Sequence, residues 1–267
     1  MKYRTCGILI HPLPIALPRI HSRRDGRRAR IPEETIGDCR RENRVTEVLG
    51  EKTIARRPSR EKCPSGDMIP AVVATAMEGC RMLRLQSADG TNRLTCACVM
   101  GLTDQVRKLA AEPSPTPVVI TGNARFFSTG ADLEEIVRLN APAAFEFSKM
   151  GQELMRLLSE FPAPLYAAIS GYCMGGGLDL ALACRHRICS PNAIFGHRGA
   201  ALGLLTGWGG TQRLPRLVGR ARALQMFVTA EKLDAARALQ IGLVDAIADD
   251  PVAEASHQIT SHGRHCV

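Results

Sequence analysis

The sequence has no apolar run approaching the roughly 20 residues that a membrane-spanning helix requires. Arg, Pro, Gly or Asp interrupts every apolar stretch first, which excludes a helical transmembrane protein. Ten cysteines are present, yet none forms a CxxC pair, no HxxxH lies near them and no secretory signal precedes them. The expectation is reduced thiols in a cytosolic compartment. Neither GxGxxG nor GxxxxGKS/T occurs, so dinucleotide and nucleoside triphosphate cradles lose their main support.

What is there fits a globular protein. With 267 residues, 45% hydrophobic and 23% charged, the chain can bury one large core or two modest ones. The net charge of +9 suggests nucleic acid until it is located. Residues 1–70 hold 16 Lys+Arg against 9 Asp+Glu, leaving only +2 for the remainder, so nucleic-acid binding is not expected of the body of the protein. In that leader, Pro12, Pro14 and Pro18 oppose a helix, and Arg23, Arg24, Arg27, Arg28 and Arg30 repel one another without interleaved apolar residues. A basic, weakly ordered extension is expected over 1–70. A polybasic arm for RNA or anionic lipid, an organellar transit peptide and a featureless extension all stay open for it.

Periodic order starts near residue 80. Met82 to Gln86 reads as a short strand, and Asn92 to Ala111 carries Leu94, Val99, Leu102, Val106 and Leu109 at helical spacing before Pro113, Pro115 and Pro117. Val118 to Gly122 and Pro164 to Ser170 read as buried parallel strands. Between them, Pro142 to Phe161 reads as a helix with proline in its first turn. Gly177 to Ala183, Arg220 to Ala230 and Asp234 to Gln240 read as helices, the last closed by Gly242, and Arg187 to Ser190 as a strand. Strands alternating with helices predict an α/β fold with a mostly parallel sheet. No internal sequence repeat is evident.

Two glycine-rich strand exits concentrate the chemistry. In FFSTGADL, Gly130 permits a tight turn, and Asp132 with Glu135 can cap the following helix, leaving backbone N–H groups without intrahelical partners. In GYCMGGGLD, three successive glycines cost helix stability, about 1 kcal/mol each relative to alanine, which points to close backbone approach. A helix N-terminus of this kind presents N–H donors to an oxygen that gains negative charge. A capped turn and simple helix packing account equally well for either segment taken alone.

Together these segments resemble the crotonase superfamily, the enoyl-CoA hydratases and isomerases. The resemblance rests on VVITGNARFFSTGADL, PLYAAISGYCMGGGLDLALAC and FGHRGAALGLLTGWGGTQRLPRLVG followed by ALQIGLVD, covering roughly residues 84–247. It implies a crotonase-like spiral of ββα units with a helical C-terminal region, over residues 80–250. It further implies a coenzyme A thioester as substrate, with no permanently bound cofactor and no metal. By position, Ala131 and Gly176 would supply the two amides that hold the enolate oxyanion, with Asp179 as the acid/base. Thr129, Asp132, Leu133, Tyr172, Gly175, Gly199, Leu202 and Gly203 would line the substrate. Trp208 and the neighbouring glycines would shape the acyl pocket floor or merely pack.

The sequence departs from the hydratases where they place two glutamates: Asp179 stands at the first position and Gly199 at the second. Efficient hydration is therefore doubtful. Naphthoate synthases share such a glycine and bind bicarbonate there, which makes bicarbonate near Gly199 and Arg198 a candidate. Cys96 and Cys98, two apart on a helix, do not make a metal pair, and Cys173 reads as a small buried hydrophobe. Residues 251–267 read as a short C-terminal tail, less than family members use to close the pocket and build a homotrimer or hexamer. The reading is an acyl-CoA enzyme of hydratase/isomerase type. The alternatives are a catalytically silent acyl-CoA binder or scaffold, and an RNA-binding role for the leader.

Overall fold

The computed structural model describes residues 72–263; the expected basic extension over 1–70 lies outside them. The described chain starts with β1 (Val72–Met77) and β2 (Cys80–Leu85), an antiparallel pair, followed by the short β3 (Arg93–Leu94) and helix α1 (Cys96–Ala110). Then come β4 (Val118–Thr121), β5 (Phe126–Ser128), β6 (Gly130–Ala131), α2 (Leu133–Val137) and α3 (Ala141–Ser159). The next turn holds β7 (Leu165–Ile169), β8 (Tyr172–Met174) and α4 (Gly176–Ala183), and after it β9 (His186–Cys189) and β10 (Ile194–Gly196). A 3-10 turn (Gly199–Leu202), α5 (Gly210–Val218), α6 (Arg220–Thr229), β11 (Leu233–Asp234), α7 (Ala235–Gln240), β12 (Ala246–Ile247) and α8 (Pro251–Gly263) complete it.

Successive turns of this path repeat a strand in one sheet, a strand in the next and a helix. The six-stranded sheet runs β1-β2-β4-β7-β9-β12 and is parallel from β2 onward, while the second runs β11-β10-β8-β5. The strands β3 and β6 form a separate parallel pair. This is the predicted ββα spiral, a structural repeat that the sequence does not mirror.

Every residue of β4 and β7 is buried, as a strand covered on both faces requires. Alternation divides them. Val118, Ile120, Leu165, Ala167 and Ile169 enter the main core with α1, α3 and α4, whereas Val119, Tyr166 and Ala168 join Ile188 and Ala255 in a second cluster. That second face is covered by α8, where the sequence suggested only a short tail. Val252, Ala255 and Ile259, at helical spacing, carry its contact with that face.

Local chemistry sets the other helix starts. Thr95 Oγ1 accepts the Cys98 amide at 3.1 Å, Asn140 Oδ1 accepts that of Ala143 at 3.0 Å, and Asp234 Oδ1 accepts that of Arg237 at 2.8 Å. The cap at Thr95 corrects the expected helix from Asn92: Asn92 takes a left-handed φ of 53° and Leu94 lies in a strand. Leu94 is buried all the same, which is why its spacing imitated a helix. Among the described residues no helix is long and apolar enough to cross a membrane.

Helix α3 passes so close to the loop before α5 that a methyl group at Gly151 would lie 2.2 Å from Trp208 Nε1. Gly151→Ala should therefore cost about 1–3 kcal/mol by overpacking. Because Trp208 is the sole tryptophan of the chain, thermal denaturation followed by its fluorescence reads both the loss and the shift of the indole; an unchanged spectrum and melting point would contradict this packing.

Candidate active site

Strands β5 and β8 are parallel neighbours, pairing Phe126 with Tyr172 and Ser128 with Cys173 across an irregular register. Their exits therefore emerge side by side, and the irregularity turns Thr129 to Ala131 toward the start of α4. Beneath the first exit, Asn92 Nδ2 donates to Phe126 O at 2.8 Å, Ser128 Oγ donates to Asn92 O at 2.7 Å, and the Gly130 amide donates to Ser128 Oγ at 3.1 Å. Asn92 and Ser128, both buried, were not singled out from sequence. Asn92 looked like a helix start, and no motif marks a serine that supports a loop from below.

The two exits touch through bare backbone. A methyl at Gly130 would sit 2.6 Å from Met174 O and 2.9 Å from the Gly176 nitrogen; one at Gly176 would sit 2.7 Å from the Trp208 ring and 3.2 Å from the Ala131 nitrogen. Gly175 adopts a φ of 51°, which a side chain would strain, and its amide donates to Gly196 O at 2.9 Å. The intrahelical ladder of α4 begins with the Asp179 amide donating to Gly175 O at 3.0 Å, so the amides before it have no intrahelical acceptor. Asp132 Oδ1 accepts the amides of Glu134 and Glu135, while Glu135 reaches the Cys96 amide at 2.8 Å. The expected cap is thus present, but its glutamate ties α2 to α1.

A cavity of about 200 Å³ opens where these loops meet. Thr129, Ala131, Leu133, Gly175, Gly176, Asp179, Gly199 and Leu202 all line it. Three further expected substrate contacts, Asp132, Tyr172 and Gly203, are not among the residues that line it. Asp132 is engaged as the cap and pairs with Arg93 at 3.2 Å; Tyr172, 39% exposed, stacks on Phe126 with ring centres 5.7 Å apart; Gly203 closes the 3-10 turn with a φ of 69°. Cys173 is wholly buried, and burial pushes its thiol well up, which suits a packing residue. At Gly199 the direction a side chain would take is filled by the Leu204 carbonyl, 2.6 Å away.

Asp179, in the first turn of α4, is 2% exposed. Burial pushes its carboxyl from 3.8 up to about 7, against the opposing pull of the Thr206 hydroxyl, the Arg213 charge and the Gly210 backbone. Thr206 Oγ1 donates to Oδ2. Facing Oδ1 at 3.3 Å is His197 Nε2, on a ring 4% exposed and packed against Phe227, with ring centres 5.2 Å apart. Burial pushes that imidazole down from 6.5 to about 4. Neither Oδ1 nor Nε2 has an aligned hydrogen-bond partner. A methyl at Gly210 would lie 2.2 Å from Oδ1 and 3.0 Å from Nε2, so the start of α5 is shaped around the pair. His197 and Arg198 both line the cavity, a placement that the sequence alone did not give.

A ββα spiral with two main-chain loops and one buried carboxyl converging on a cavity has the architecture of the crotonase fold, and solved structures match it. The overlay on Pseudomonas aeruginosa DspI has a TM-score of 0.70 at 32% identity, covering 76% of this chain and 78% of that one. For an enoyl-CoA hydratase from Bacillus anthracis the values are 0.68 and 29%, over 72% and 77%. A crotonyl-CoA hydratase of Syntrophomonas wolfei is 36% identical over 177 residues, 66% of this chain and 68% of that one. A 2,3-dehydroadipyl-CoA hydratase of Escherichia coli is 38% identical over 181 residues, 67% and 70% of the two chains. The family model described as enoyl-CoA hydratase/isomerase matches residues 75–265. The chain belongs to the enoyl-CoA hydratase/isomerase family.

The opposite shifts of Asp179 and His197 make opposite contributions to stability. The folded carboxyl keeps a proton that the unfolded one loses above 3.8, so its contribution falls as pH rises from 3.8 to about 7. The folded imidazole stays neutral where the unfolded one is charged, so its contribution rises from about pH 4 to 6.5. In the intact protein the two nearly cancel across that shared window. Relative to it, Asp179→Asn should gain stability with rising pH and His197→Phe should lose it, as urea titrations at a series of pH values would show; parallel profiles for all three proteins would contradict the assignment.

Proposed function

We propose that the cavity holds an enoyl-CoA thioester whose carbonyl oxygen accepts hydrogen bonds from the Ala131 and Gly176 amides, with Asp179 moving the proton. The observation behind this reading is the approach of those two loops at glycine beside the same cavity as a single buried carboxyl. The names of the relatives, crotonyl-CoA hydratase and 2,3-dehydroadipyl-CoA hydratase, support the substrate class. Two fixed donors stabilise the enolate that forms when a proton leaves Cα or when water adds at Cβ, each by about 3 kcal/mol. Main-chain amides need no reorganisation as the charge develops. Thr129 and Leu133, on the wall and rim, would flank the pantetheine arm.

Asp179 is suited to its role by its surroundings. A carboxyl whose proton affinity lies near neutrality both accepts and returns a proton efficiently. Moving a proton between carbons of the acyl chain needs one such group, whereas hydration asks it both to activate water and to protonate carbon. For bicarbonate near Gly199 and Arg198, the Leu204 carbonyl oxygen facing the side-chain direction of Gly199 is unfavourable and the Arg198 charge on the same cavity is favourable.

Two outcomes follow. Asp179→Asn should lower turnover of the better substrate, crotonyl-CoA or a positional enoyl-CoA isomer, by roughly 10²- to 10⁴-fold while CoA-ester binding persists; equal turnover by variant and parent would overturn the assignment. Added bicarbonate should leave the rate unchanged, and a saturable rise would restore an anion to the Gly199 position.

A further inference from the structure

Asp179 Oδ1 and His197 Nε2 are the feature of the cavity that a single acid/base does not use. Both atoms are fully buried, each lacks an aligned partner, and they lie 3.3 Å apart. Two buried polar atoms without an aligned partner are costly, since each has lost water. One proton placed in the gap satisfies both. We infer that Asp179 and His197 hold one proton in common and act as a two-residue acid/base, so that His197, two residues before Gly199, is a further catalytic residue in a site that lacks the second carboxylate of the hydratases.

The protonated pair is Oδ1–H···Nε2, with the imidazole's own hydrogen on Nδ1, and its conjugate base is a carboxylate facing the bare Nε2. In the forward step a C–H bond of the acyl chain, or an O–H bond of the adding water, breaks and its proton enters the gap. The electron pair of the C–H bond, or the displaced π pair of the alkene, moves onto the thioester oxygen as the enolate. On return the proton forms a new C–H bond, so protons and charge balance over the cycle. The imidazole never becomes a free cation, in keeping with its burial.

The surroundings favour this arrangement. Thr206 Oγ1 occupies Oδ2, leaving Oδ1 to the histidine; Phe227 on α6 packs against the imidazole ring; Gly210 on α5 gives both atoms room. The charged and titratable groups facing the pair are Arg213 on α5, whose guanidinium donates to Met155 O and Ser159 Oγ, and the buried Cys173 thiol on β8. Arg198 lines the same cavity from the other side of His197.

Catalysis through this pair rests on the acyl-CoA reading, but the shared proton does not, so it is tested first on the full chain without substrate. With imidazole 15N and carboxyl 13C labels, the Nε2 resonance of His197 and the Cγ resonance of Asp179 should move together with one midpoint between pH 5 and 9. His197→Phe should lower the midpoint at Asp179, because the protonated carboxyl loses its acceptor. Two unrelated midpoints in the parent protein would overturn the shared proton whether or not the variant folds. With an enoyl-CoA substrate, His197→Phe should reduce kcat by about tenfold or more, leave KM within about twofold and move the pH profile with the NMR midpoint. A full kcat with an unmoved profile would overturn the catalytic role. A common midpoint in a protein that turns over no acyl-CoA ester would leave the pair standing and remove the acyl-CoA reading instead.

Discussion

The site depends on two stretches of backbone coming closer than side chains permit. Gly130 faces Met174 O and the Gly176 nitrogen, and Gly176 faces the Ala131 nitrogen and the Trp208 ring, at separations where even one added methyl would collide. The contact is imposed from below by hydrogen-bonded neighbours in the second sheet, since β5 and β8 deliver their ends side by side. Asn92 and Ser128 fix the height of the first loop, and the Gly175 amide bound to Gly196 O fixes the second. The two loops are thus held jointly by the sheet and by the buried side chains beneath them.

The buried pair beside them works in the opposite manner. Everything there depends on side-chain identity, because burial makes the ionisation of each group responsive to its neighbours. Burial raises Asp179 and lowers His197, and the result is a pair that keeps one proton over the range where the same residues in an unfolded chain would carry opposite charges. In the proposed function the backbone handles oxygen and the pair handles hydrogen.

Much of the scaffold was legible because its signals are local. The fully apolar strands at Val118 and Leu165, the prolines around Pro113 and the cap at Asp132 each announce an element within a few residues, and the structure has them within one or two positions. The glycine exits were legible too, as places where stability had been given up. What was missed is mostly non-local. Helix α8 was read only as a short tail, although Val252, Ala255 and Ile259 form a short apolar stripe against the second face of the sheet. His197 meets Asp179 only because β10 ends alongside β8, a juxtaposition with no spacing rule in the chain. Tyr172 and Asp132 were assigned to the substrate by position in a motif, and the ring stacking of one and the helix capping by the other were not foreseen.

The central claim is that two amides polarise one thioester carbonyl, and vibrational spectroscopy reads that bond directly. An acyl-CoA ester carrying 13C at the thioester carbon isolates its C=O stretch from the protein background. On binding, the account predicts a clear shift of that stretch to lower frequency than in water, as electron density moves toward the oxygen. A bound ester whose carbonyl band stays at or above its solution frequency would contradict it.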